Sequence, residues 1–220
     1  MIQAPLLETL CGVLRRTYAL TAPLRPIGSY VIGDEGLRTL YPNGEREARS
    51  STGAGARLLL RDTPAGVRAC IYYPDAMIRQ LEAMPPQRGV NQDNVDAFAA
   101  LVEELDHLLV TAERAHAGRG VSLLELEIQA NVSKELVLSR FLAGRGGTLD
   151  EDRRGWLRSQ LFHARRYCDR DDEVRGRYED ASRWALRFLQ SLQNMPGVRR
   201  LDSLRRFHRA PLSGKLELAR

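Results

Sequence analysis

Leu124-Glu125-Leu126-Glu127-Ile128-Gln129-Ala130-Asn131-Val132-Ser133 is the stretch whose reading decides the fold. By period alone its strict apolar/polar alternation is that of a half-buried strand, in which successive side chains point to opposite faces. Its flanks and its composition oppose that. Ser122-Leu123-Leu124-Glu125 is a capping box, and Val121 stands where a hydrophobic staple would meet Leu126. Glu, Gln and Ala form helices well and strands poorly. We therefore expect a helix, which makes the chain helical on both sides of it.

Upstream, Val95, Phe98, Val102, Leu105, Leu109 and Ala112 alternate steps of three and four, a heptad-like stripe. Downstream, Thr148-Leu149-Asp150-Glu151 is a second capping box, opening a helix with Leu157, Leu161, Ala164 and Cys168 on one side. A last long helix is expected from about Asp171, with Val174, Tyr178, Ala181, Ala185, Phe188 and Leu192 as its apolar stripe and Met195-Pro196-Gly197 as its stop. A shorter helix over 75–84 ends at Pro85-Pro86, and another over 6–20 carries Leu6, Leu10, Val13 or Leu14, and Tyr18 until Pro23 and Pro26. Between these two, 29–33, 37–41, 57–61 and 67–73 read as short strands. The last two are joined by Asp62-Thr63-Pro64-Ala65-Gly66 as a hairpin, and 43–56 reads as a loop.

The expected fold is thus α+β and predominantly α: a small N-terminal hairpin or sheet region, then an antiparallel bundle of about four long helices, since short connections favour antiparallel neighbours. The segments are 1–90, with the first helix, the strands and the short helix; 91–195, the helical bundle; and 196–220, a basic tail. Together they make one compact domain. A chain of 220 residues with 43% hydrophobic and 28% charged residues can bury a full core, and this composition excludes collagen-like, disordered and membrane classes. No apolar run approaches the ~18 residues of a spanning helix, and no secretory signal opens the chain. Cys11, Cys70 and Cys168 are far apart and form no C-x-x-C pair, which points to a reducing cytoplasm.

Two of the 33 basic residues are lysines, Lys134 and Lys215, and the other 31 are arginine. The net charge of +5 lies entirely in residues 195–220, because 1–194 carries 26 bases and 26 acids. The leading functional reading follows from that asymmetry. It is a non-enzymatic binding or regulatory protein without a cofactor, engaging an acidic macromolecule, nucleic acid or protein, through Arg199, Arg200, Arg205, Arg206 and Arg209. A homo-oligomer is compatible with the same sequence.

The alternative reading is a metal-dependent enzyme. Glu104-Leu105-Asp106-His107 sets a carboxylate and an imidazole one helical turn apart, as carboxylate bundles do to bind metals. Glu113-Arg114-Ala115-His116 repeats the pattern nine residues on, about half a revolution out of phase at ~3.6 residues per turn. With Val95 at heptad position a, Glu104 falls at c and His107 at f, off the apolar seam. The expectation is therefore an exposed i,i+3 pair beside solvated Glu103 and Asp106. A Fe, Mn or Zn site requires Glu104, His107 and Glu127 to converge in a shared interior. Gly144-Arg145-Gly146-Gly147-Thr148 reads as a helix connection rather than a phosphate loop, since no Lys follows and Asp150, Glu151 and Asp152 would repel an anion. No Gly-x-Ser-x-Gly elbow is present.

Overall fold

A computed structural model describes residues 4–42, 55–64, 66–144, 147–163 and 172–220. Helix α1 (Ala4–Tyr18) is followed by a 3-10 turn at Ile27–Tyr30, the two-residue strand β1 (Val31–Ile32) and helix α2 (Asp34–Leu40). The strand expected over 37–41 is therefore a helix. Asp34 and Glu35 fill its first turn, where the helix dipole favours negative charge, and the Asp34 N–H donates to Asp75 Oδ1 at 3.3 Å.

The hairpin is as expected: β2 (Arg57–Thr63) and β3 (Gly66–Tyr72) pair antiparallel from Arg57 against Tyr72 to Thr63 against Gly66. Gly66 has φ +114°, which side chains rarely tolerate. β1 adds parallel to β3, so the sheet order is β1-β3-β2. Leu59 and Ile71 point inward with Tyr73, just past β3. Helix α3 (Asp75–Ala83) follows and stops before Pro85.

Helices α4 (Val95–His116) and α5 (Leu123–Ala143) form the centre of the molecule. The Ser122 hydroxyl accepts the Glu125 N–H at 3.2 Å, so the Ser122 half of the capping box forms and the alternating stretch is helical, while the Glu125 carboxylate turns to Arg114. Pairing of Arg114 with Glu125 at one end and Asp106 with Ser133 further along shows that the two helices run antiparallel. Neither has a solvent face along its middle: every residue from Ala97 to Val110 and from Glu125 to Glu135 is buried. One side of α4 meets α5, and the other meets β2, β3, α1 and α3. The expectation that Glu104 and His107 lie exposed, with Glu103 and Asp106 solvated beside them, is therefore overturned. Glu104 is 2% and His107 6% exposed. The heptad stripe marks one buried side, while a second layer covers the positions off the seam.

Helix α6 (Glu151–Arg158) runs on into a π turn at Ser159–His163, followed by α7 (Asp172–Ser191), α8 (Gly197–Arg209) and α9 (Leu212–Leu218). The α6 cap is Asp150, whose carboxylate accepts the Arg153 N–H at 2.8 Å, two residues later than the Thr148 box implies. Tyr178, Ala181, Ala185, Phe188 and Leu192 are buried, as the stripe requires, and Val174 at its start is half-buried. Arg145, Gly146, Ala164, Cys168, Asp171 and most of 43–56 lie outside the described residues. Segment 196–220 packs inward through Leu204, Phe207, His208, Lys215 and Ala219, with Phe207 stacked on Phe188 at 3.8 Å between ring centroids. The described residues are mostly helical, with one three-stranded sheet, and contain no helix long and apolar enough to cross a membrane.

Candidate metal centre

Burying helices on all sides puts their polar residues inside, and each buried charge then needs a partner, because an isolated ion in a low-dielectric interior costs several kcal/mol. Among the described residues, three groups of such partners lie along α4 and α5, besides the Glu135–Arg158 pair that joins α5 to α6. In the first group Arg114 donates to Glu125 Oε1 through Nε at 2.9 Å and Nη2 at 2.6 Å, and the same guanidinium takes the carbonyls of His208, Arg209 and Ala210 at the end of α8. These carbonyls belong to a helix terminus that has no intrahelical donors of its own.

In the second group Ser133 Oγ donates to Asp106 Oδ1 at 2.6 Å and shares a 2.7 Å hydrogen bond with the Tyr18 hydroxyl. Tyr18 stacks on His208 at 4.8 Å. Lys215 reaches from α9 to Gln129 Oε1 at 2.7 Å and to the Phe207 carbonyl at 2.6 Å. Burial lifts the Asp106 carboxyl to about 6 and lowers His208 to about 3, where Lys215, Arg114 and Arg209 add to the effect. Burial also lowers the Lys215 ammonium to about 7, against the pull of Glu125.

The third group is the one with metal-binding chemistry. Glu103, His107 and Glu127 each bring a donor atom within 4.8 Å of the other two, and all three residues are buried. Glu103 and His107 stand at i,i+4 on α4, one above the other on the same face. Glu127 comes from α5. The Lys134 ammonium donates to Glu103 Oε2 at 2.6 Å. Glu104 Oε2 lies 3.5 Å from His107 Nδ1. The other ring nitrogen, Nε2, is buried and has no hydrogen-bond partner. Burial depresses His107, but the carboxylates of Glu104, Glu127 and Glu103 outweigh it and push the imidazole up to about 10; burial raises the Glu127 carboxyl.

Of the three residues expected to converge, His107 and Glu127 bring donor atoms together, but the third member of that group is Glu103, and Glu104 stands beside the imidazole instead. The signal for Glu103 is the i,i+4 spacing Glu103-x-x-x-His107, which the i,i+3 motif obscures. A second signal is compositional: in a chain with 31 arginines, both lysines are buried, each holding one compact ammonium against a buried carboxylate or amide oxygen.

Of the five arginines expected to bind a partner, two are engaged within the fold. Arg200 donates to the Leu192 carbonyl at the end of α7, and Arg205 to the Thr17 carbonyl at the end of α1. Arg199, Arg206 and Arg209 are exposed on α8. No protein-family model, curated protein or solved structure matches the chain.

Proposed function

We propose that this protein holds a divalent metal ion on Glu103, His107 and Glu127 and acts as a metal-dependent enzyme. The observation that carries the reading is the buried, unpartnered Nε2 of His107, a residue with a ring nitrogen within 4.8 Å of carboxylate oxygens of Glu103 and Glu127, since a buried nitrogen without a partner is costly and a metal ion that displaces its proton would satisfy it. Charge supports the same conclusion. The carboxylates of Glu103, Glu104 and Glu127 all act on the His107 ring, and a cation held there is attracted by the same three groups. An imidazole with two carboxylates suits Fe, Mn or Zn, with bonds of ~2.0–2.2 Å in the zinc case. Three protein ligands leave coordination positions for water or substrate, where the ion supplies Lewis-acid polarisation.

Elemental analysis of purified protein tests this, together with calorimetric titration of metal-free protein with Mn2+ and Zn2+. The expected result is one ion per chain, lost on Glu103→Gln with Glu127→Gln, both near-isosteric. A folded wild type that contains no metal and takes up neither ion overturns the reading.

A second reading rests on α8. Arg199, Arg206 and Arg209 recur at spacings of seven and three along its exposed side, and we infer a non-enzymatic contact with nucleic-acid phosphates there. At ~0.7 to 0.9 per phosphate, three contacts give a slope of about −2 to −3 in log affinity against log salt. Arg206→Glu with Arg209→Glu is expected to flatten it. Binding with no salt dependence, or a slope unchanged by the double variant, overturns this second reading.

A further inference from the structure

Given the metal centre proposed above, we infer that Glu104 is its positioning residue, accepting the Nδ1–H of His107 and committing Nε2 to the ion. A neutral imidazole carries one N–H and one lone pair, so the nitrogen that donates decides which nitrogen can ligate. On α4 the i,i+3 relation sets Glu104 Oε2 3.5 Å from Nδ1, and both side chains are almost wholly enclosed. Nε2 has no partner at all. Glu104 does not belong to the set of donors that converge within 4.8 Å, although its neighbour Glu103 does. The two consecutive glutamates therefore divide the work. Glu103 presents an oxygen to the ion, and Glu104, one residue and about 100° round the helix, stands behind the ring.

Both helices bring an outer partner to the centre: Lys134 holds the Glu103 carboxylate through a 2.6 Å hydrogen bond, and Glu104 stands at ion-pair distance, 3.5 Å, from the imidazole. Ligands positioned in this way need little movement when the ion arrives and displaces the Nε2 proton, and loss of such an outer partner typically costs 10–100-fold in metal affinity. Without an acceptor at Nδ1 the two tautomers compete, and the ion must select one.

The experiment uses full-length protein carrying 15N-labelled histidine, loaded with Zn2+, in the wild type, Glu104→Gln and Glu104→Ala. The wild type is expected to show His107 ligated through Nε2 with a proton on Nδ1 in a hydrogen bond. Glu104→Ala is expected to bind Zn2+ 10–100-fold more weakly, with the Nδ1–H resonance lost or moved. Glu104→Gln keeps an acceptor oxygen and is expected to retain Nε2 ligation with a smaller loss. Ligation through Nδ1 in the wild type overturns the inference, and that spectrum decides even where Glu104→Ala does not fold. Equal Zn2+ affinity in Glu104→Ala and wild type overturns it as well, leaving the metal reading standing. A folded wild type that binds neither Zn2+ nor Mn2+ overturns the metal reading itself, and the role of Glu104 with it.

Discussion

His107 sits among three carboxylates whose attraction exceeds the cost of burying its ring, so in metal-free protein it carries a proton. Replacing it by alanine removes that charge from among the buried carboxylates of Glu103, Glu104 and Glu127. Loss of one partner from a buried charged group typically costs 3–5 kcal/mol, and we expect His107→Ala to lower metal-free stability by about that much in urea unfolding. An unchanged midpoint would place the imidazole outside the interior. Lys215 gives a test by pH. Its folded-state value lies near 7, below the 10.5 of an unfolded lysine, so between those limits the unfolded chain binds more protons and stability rises with pH. The stability difference between wild type and Lys215→Met should therefore grow from pH 7 to pH 10, by at most about 1.4 kcal/mol per unit. Subtracting the variant removes the opposing slope of His107, whose raised value makes its own contribution fade as pH climbs past 6.5. A difference that is flat over this range would show that the ammonium is not desolvated.

Helix α5 shows what a periodicity conveys at the scale of one element. Its Ser122 cap, its stop and its helical character were legible, because Ser122 and the Glu125 N–H act within one turn of chain. The apolar stripes of α4 and α7 were legible for the same reason. What α5 lacks is an exposed side, and that depends on α4, α6, α7 and α9 closing round it, contacts that its own sequence does not contain. The alternation from Leu124 to Ser133 thus reflects apolar residues interleaved with polar ones that are satisfied across the interface. Glu104 and His107 were misplaced by the same limit: a heptad names one buried side, and α4 has two. Arg114 offers an element-scale test, since it joins α4 to α5 through Glu125 and to α8 through three carbonyls. Arg114→Met should therefore cost more than Glu125→Gln, about 3–5 kcal/mol against 1–2, when both are compared by denaturant unfolding. Equal costs would mean that the α8 carbonyls find other donors.

At the scale of the whole molecule, the charge asymmetry and the core make opposite demands on the C-terminal segment. As a charged tail, 196–220 would be dispensable for folding. As packed helices it supplies Phe207 against Phe188, His208 against Tyr18, and Lys215 against Gln129, so the two ends of the chain and α5 meet in one interior. Fully burying a side chain such as Leu204 or Phe207 contributes about 1.5–3 kcal/mol, and a typical domain is stable by only about 5–15 kcal/mol. Truncation after Met195 removes both side chains, strands Gln129 and Arg114 without their α8 and α9 partners, and opens the Tyr18 face. We expect the truncated chain to keep much of its helical circular dichroism while losing its near-ultraviolet signal and binding a hydrophobic dye, the signature of lost tertiary packing. Charge reversal separates packing from charge within the same segment. Arg205→Glu, which breaks the donation to Thr17 and places a carboxylate at the C-terminal end of α1, should lower the melting temperature by several degrees. Arg206→Glu with Arg209→Glu should lower it less, because both side chains stand in solvent and break no contact, leaving only the screened repulsion from the C-terminal end of α8. A truncated chain that melts cooperatively at the wild-type temperature would make 196–220 an appendage after all.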